Sequence, residues 1–158
     1  MPNEPETPKF EKLLAELVHG GVDFALVGGL AVGLNGYPRS TMDVDILVAD
    51  DRENIERLLT TPSDWGEGFA RELSVGDFTH EAGCITVAED FDLDIFTRML
   101  GKSLDDFRTH VQPSADSNLR VPFLDASALI ELKEHSVREK DQLDVLALRR
   151  ILQEQKPV

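Results

Sequence analysis

Cysteine is almost absent. Cys84 stands alone, so no disulfide can form within the chain. A lone thiol fits a reducing cytoplasm, which is the expected compartment. No apolar run approaches the roughly 20 residues that span a bilayer, so no membrane association is expected. The first ten residues, MPNEPETPKF, are polar and acidic and do not read as a signal peptide. Basic residues are scarce: 16 Lys and Arg face 30 Asp and Glu, a formal charge of -14. Such a surface repels polyanions and argues against non-specific nucleic-acid binding. A local basic groove for a nucleotide or a specific RNA remains compatible with it. The four histidines, His19, His80, His110 and His135, are scattered and read as structural or surface groups. His80-Glu81 has no second histidine after it, so no zinc-protease motif exists.

What is present suits one folded unit. The 158 residues are 41% hydrophobic, enough for a core without staples. A single domain over 1–158 is expected, with a core over about 9–112 and a C-terminal strand and helices over about 119–155. Phe10, Leu13, Leu14, Leu17 and Val18 recur at helical spacing, and Gly20-Gly21 ends that helix. Phe24 to Val27 reads as a buried strand, and Gly28 to Asn35 as a short small-residue helix. Val44 to Val48 reads as a second strand. Asp50 and Glu53 have capping-box spacing before a helix with Ile55, Leu58 and Leu59. Thr61 to Gly68 reads as a loop, and Phe69 to Phe78 is ambiguous. Cys84 to Ala88 and Asp92 to Thr97 read as strands, and Cys84 as a core residue. Leu104 to His110 suggests a short helix, Pro113 to Asn118 a polar connection, and Leu119 to Phe123 a last strand. Asp125 is placed to cap a helix with Leu129, Ile130 and Leu132. The final helix carries Leu143, Leu146, Ala147, Leu148, Ile151 and Leu152. Mixed helices and strands imply an α/β or α+β fold.

The chemistry concentrates between Phe24 and Val48. Side chains alternate along a strand, so Asp43 and Asp45 share one face while Val44 turns into the core. Two carboxylates so placed offer hard oxygen ligands to Mg²⁺. Taken alone, an Asp-x-Asp strand start is more often a solvated surface feature. Three neighbours add to it. Gly28-Gly29 lies between a strand and a helix, where bare backbone can approach a phosphate. Arg39, Ser40 and Thr41 offer a guanidinium and two hydroxyls just before the aspartates. A later strand brings Asp92 and Asp94, again on one face. Other readings fail on spacing. An EF-hand needs glycine where Val48 stands and glutamate where Asn54 stands. Gly101-Lys102-Ser103 ends like a P-loop, but Phe96 occupies its first glycine position. In an aspartyl-phosphate phosphatase the pair would follow its strand rather than precede it.

This pattern resembles the nucleotidyltransferase superfamily related to DNA polymerase beta. Its glycine turn matches Gly28-Gly29, its aspartate pair Asp43 and Asp45, and its later carboxylate Asp94. Gly36, Arg39 and Thr41 make the front motif similar to small bacterial AbiEii-like and related uncharacterised nucleotidyltransferases. The tail fits too: Lys133 is followed by Arg138, Lys140, Asp141 and Asp144. Gly29 stands where many relatives carry serine, leaving Ser40 or Thr41 as substitutes. The resemblance implies a mixed β-sheet flanked by helices, with a C-terminal helical pair. It implies an Mg²⁺-dependent enzyme that moves a nucleoside monophosphate from a nucleoside triphosphate to a hydroxyl on RNA, a protein or a small molecule. Asp43, Asp45 and Asp94 would be catalytic and hold two metal ions. Gly28, Gly29, Arg39, Ser40, Thr41, Lys133 and Lys140 would bind the nucleotide, with Asp141 orienting Lys140 or Arg138. Relatives of this kind often serve toxin–antitoxin or defence modules, which implies an antitoxin or other protein partner. The alternative is a non-catalytic member that binds a nucleotide or a partner.

Overall fold

The computed structural model describes residues 9–38, 41, 43–60, 77–78, 84–88, 92–115 and 119–155. Its centre is a six-stranded mixed sheet in the order β3-β4-β2-β1-β6-β5. The strands are β1 (Phe24–Val27), β2 (Asp43–Val48), β3 (Cys84–Ala88), β4 (Asp92–Phe96), β5 (Val111–Pro113) and β6 (Pro122–Leu124). The helices are α1 (Lys9–His19), α2 (Gly28–Leu34), α3 (Arg52–Thr60), α4 (Ala126–Lys133) and α5 (Glu139–Gln155), with a 3-10 helix over Leu104–His110. The expected mixed sheet flanked by helices and closing on a helical pair is what forms.

Apolar alternation builds the core. Val44, Ile46, Leu47 and Val48 of β2 are fully buried, as are Leu13 and Leu17 of α1. The helical spacing of those leucines puts them on one stripe, which docks on the sheet. Gly21, with φ +73, occupies the left-handed region that ends α1 and turns the chain into β1. Asn54 is a polar group buried against this core, 1% exposed. Its amide donates to Asp23 O at 2.9 Å and Ala49 O at 2.7 Å, and its Oδ1 accepts from Asp23 N at 2.7 Å. One side chain of α3 thereby joins the entry of β1 to the exit of β2.

Several expectations shift in detail. Asp51, not Asp50, caps α3, accepting from Asn54 N at 3.2 Å. Asp50 instead pairs with Arg98 at 2.5 Å. Asp125 caps α4 as expected, accepting from Ala128 N at 3.0 Å. An unexpected strand, β5, ends at the first residue of the expected polar connection and pairs antiparallel with β6, with Pro113 opposite Pro122. Pro113 lies on the edge strand and Pro122 is the first residue of β6, two positions where a strand tolerates a missing N–H. The last strand begins at Pro122 rather than Leu119. On α5, Val145 and Leu148 are buried, whereas Leu143 and Leu146 are exposed. The loop expected over Thr61 to Gly68, the ambiguous stretch over 69–76 and the Cys84 side chain lie outside the described residues. Among the described residues no helix is long and apolar enough to cross a membrane.

Candidate active site

Sheet register assembles the carboxylates. β2 and β4 run parallel, with Asp43 beside Asp92 and Asp45 beside Asp94. Residues paired in register project to the same face, so all four carboxylates share one side of the sheet. Val44 and Leu93 turn to the other side and are fully buried. β1 is antiparallel to β2 and sets Val27 opposite Asp45. The chain then enters α2 through Gly28, whose φ is +72. A Cβ added there would stand 2.1 Å from Asp45 Oδ2. Glycine is thus required twice, by backbone conformation and by the carboxylate against it. Gly29 follows as a buried residue of α2.

Asp45 and Asp94 form a hydrogen-bonded pair. Partial burial, the bond to Asp94 and repulsion from Asp94 and Asp43 push the Asp45 carboxyl up to about 7, against a weaker opposing pull from Lys133. Two carboxylates in contact favour sharing a proton, and a cation between them would replace that proton. Asp94 has a second partner: Thr86 Oγ1, from the paired position on β3, donates to Asp94 Oδ1 at 2.6 Å. This identifies Asp94 rather than Asp92 as the carboxylate bound into the group, while Asp92 is exposed. Thr86 was legible only as a strand residue. Its alternation with Cys84 and Ala88 is a faint signal, and its pairing with Asp94 is long-range. Asp43 is exposed at the strand start.

The other nominated residues divide. Thr41 Oγ1 accepts from Asp43 N at 3.3 Å and donates to Asp43 O at 3.2 Å, so it shapes the approach to β2. Arg39 and Ser40 lie outside the described residues. Lys133, at the end of α4, is brought close enough to Asp45 for its charge to act there. Its ammonium meets Asp141 Oδ1 at 2.9 Å and Asp144 Oδ2 at 3.1 Å. Asp141 therefore orients Lys133, not Lys140 or Arg138 through a bond of its own. Lys140 is exposed on the first turn of α5.

The oxygen donors fit a hard divalent cation in type, and the raised Asp45 carboxyl marks a place where positive charge would be welcome. Among the described residues, no three His, Cys, Asp or Glu side chains are already gathered as a metal cluster. A cavity of about 490 Å³ lies elsewhere, lined by residues including Leu14, Leu26, Gly29, Leu34 and Val121. Leu26 and Ile46 pair on the face opposite Asp45, and none of the aspartates lines this cavity.

Comparison with known proteins follows the fold. No family model and no curated protein matches the chain. Solved structures do. A lincosamide antibiotic adenylyltransferase, LnuA, bound to lincomycin, superposes with a TM-score of 0.59 at 16% identity, covering 92% of this chain and 98% of that one. An antigenic nucleotidyltransferase-like protein from Paracoccidioides brasiliensis gives 0.52 at 14% identity, covering 93% and 75%. The fold is that of the nucleotidyltransferases. The likeness to LnuA runs through both the sheet and the C-terminal helices, since nearly all of each chain is matched.

Proposed function

We propose that this chain transfers a nucleoside monophosphate from a nucleoside triphosphate to a hydroxyl acceptor, using Mg²⁺ held by Asp43, Asp45 and Asp94. The observation that carries the proposal is the register that sets Asp45 beside Asp94, with Gly28 closed onto Asp45, in a nucleotidyltransferase fold. Bound divalent cations would stabilise the attacking oxygen and the departing pyrophosphate. The protein's part is placement. Asp45 and Asp43 present oxygens from one strand. Asp94, fixed by Thr86, is set to take the proton of the acceptor hydroxyl as its oxygen attacks the α-phosphorus. The bond from that phosphorus to the β-phosphate bridging oxygen breaks, and pyrophosphate leaves. Gly28 and Gly29 offer bare backbone beside the carboxylates, and Lys133 supplies positive charge to the triphosphate.

A small-molecule acceptor is favoured by LnuA, whose name states adenylyl transfer to a lincosamide and whose chain matches this one over nearly its whole length. An RNA or protein acceptor would instead suit a toxin–antitoxin or defence role with a protein partner. The test is incubation with each labelled nucleoside triphosphate, Mg²⁺ and either a cell extract or a panel of hydroxylated small molecules. Labelled product is expected, and its class names the acceptor. Asp43→Asn should keep the fold by circular dichroism and lose the label. Label retained by that variant would remove Asp43 from the metal site. Nucleotide binding without transfer to any acceptor would favour a binding protein of the same fold.

A further inference from the structure

Lys133 is held in an unusual way. Its side chain is 13% exposed, and two carboxylates meet its single ammonium. Those carboxylates, Asp141 and Asp144, lie three residues apart on α5, hence on one helical face. Asp144 is fully buried. Asp141 is fixed at both oxygens: Oδ1 meets Lys133, and Oδ2 accepts from Ser136 Oγ at 2.7 Å. Ser136 in turn accepts from Arg138 N at 3.2 Å, so the turn between α4 and α5 is built around this contact. The nearly buried ammonium is thus matched by carboxylate oxygens, as burial requires.

One carboxylate would suffice to pin two helices together. Two hold the ammonium from two sides, with the charge of Arg138 also acting on Asp141, and they do so close enough to Asp45 for the Lys133 charge to be felt there. An ammonium has three N–H donors, so two carboxylates do not exhaust it. We infer that Asp141 and Asp144 are positioning residues, which clasp the Lys133 ammonium and aim it at the triphosphate beside Asp45. The inference rests on the proposed nucleotidyl transfer and adds to it the device that sets its cation.

The test is a mutant cycle with Lys133→Met, Asp141→Asn and the double variant. It reads kcat and KM for the nucleoside triphosphate, and the affinity for inorganic tripolyphosphate with Mg²⁺ by calorimetry. Lys133→Met should weaken tripolyphosphate binding and raise KM about tenfold, the loss of one charge-assisted contact. Asp141→Asn should do so by about three- to tenfold, with circular dichroism unchanged. In the double variant the second change should add less than about twofold, because Asp141 acts only through Lys133. Asp144 is too deeply buried to carry the test alone, and the more accessible Asp141 keeps it decisive if Asp144→Asn fails to fold. Independent, multiplying effects, or a folded Asp141→Asn with unchanged KM and tripolyphosphate affinity, would overturn the clasp while leaving the transfer reading intact. A wild-type protein that neither transfers nucleotide nor binds tripolyphosphate would overturn both.

Discussion

Gly28 and Asp45 occupy the same space up to a single methyl group: a Cβ on Gly28 would lie 2.1 Å from Asp45 Oδ2. The positive φ of Gly28 is a second and separate demand. The two are separable by experiment. Gly28→Ala should lower stability by about 2–4 kcal/mol, combining left-handed strain with the clash. It should also abolish transfer, because relief requires Asp45 to move. In an Asp45→Ala background the clash vanishes, and Gly28→Ala should then cost only about 1–2 kcal/mol. Urea denaturation of the four proteins gives the comparison. Equal penalties in both backgrounds would mean that the carboxylate does not press on the turn.

The Asp45–Asp94 pair makes the protein without metal sensitive to pH. An aspartate ordinarily titrates at 3.8, and folding pushes Asp45 up to about 7. Between those values the folded chain holds a proton that the unfolded chain releases. The resulting stabilisation is complete below 3.8 and is lost as pH rises through about 7. At pH 8 the ionised pair opposes folding. Asp45→Asn removes the repulsion and should raise stability there by about 1–3 kcal/mol, with a much smaller effect near pH 4. Mg²⁺ should raise the wild-type Tm at pH 8 and leave that of Asp45→Asn nearly unchanged. Thermal melts across pH, with and without Mg²⁺, decide the matter. A Tm difference between the two proteins that does not vary with pH would place the Asp45 titration elsewhere.

What the sequence disclosed and what it hid follow from how far apart the interacting residues lie. The alternation in Asp43-Val44-Asp45 shows which carboxylates share a face, since that depends only on strand geometry. The glycine turn and the Asp125 cap are equally local. The contact of Asp94 with Asp45 rather than Asp92 depends on the parallel register of β2 and β4, which nothing adjacent to either strand dictates. The same holds for Thr86, aligned with Asp94 by the β3 pairing. Sequence neighbourhood suggests Lys140 or Arg138 as the partner of Asp141, and the charge of Arg138 does act on it. The turn after α4 folds back and presents Lys133 instead. β5 was hidden by brevity, three residues ending in proline on a sheet edge. On α5 the apolar residues outnumber the positions that one helical face can bury, which leaves Leu143 and Leu146 outside.

Thr86 offers a milder perturbation of the carboxylate pair. Its hydroxyl donates to Asp94 Oδ1 at 2.6 Å, and its exposed position leaves the backbone pairing of β3 and β4 independent of it. Thr86→Val keeps the shape and removes the donor. The fold should survive, and kcat should fall by about three- to thirtyfold, because a charge-assisted bond that orients Asp94 is lost. Thr86→Ser retains the donor and should restore most of the rate. Steady-state kinetics on the three proteins tests this. A Thr86→Val enzyme as fast as wild type would reduce the bond to surface ornament.

Asn54 supplies the last prediction, for the scaffold rather than the chemistry. Its amide and carbonyl make three bonds, two to Asp23 and one to Ala49, from a position 1% exposed. These backbone groups sit where β1 begins and β2 ends, so the side chain holds the two strands that carry Gly28 and Asp45 at their other ends. Asn54→Ala leaves buried N–H and C=O groups without their partner and opens a small void. Each unmet group costs about 1–3 kcal/mol, so a loss of about 3–5 kcal/mol in total is expected, a large share of what a domain of this size possesses. Asn54→Asp keeps the acceptor for Asp23 N but sets a carboxylate against two carbonyl oxygens. It should be at least as damaging at pH 8 and recover as the pH falls and the new carboxyl takes a proton. Urea denaturation at pH 5 and pH 8 reads both effects. If Asn54→Ala lost less than about 1 kcal/mol, the strand ends would be held by their apolar neighbours instead.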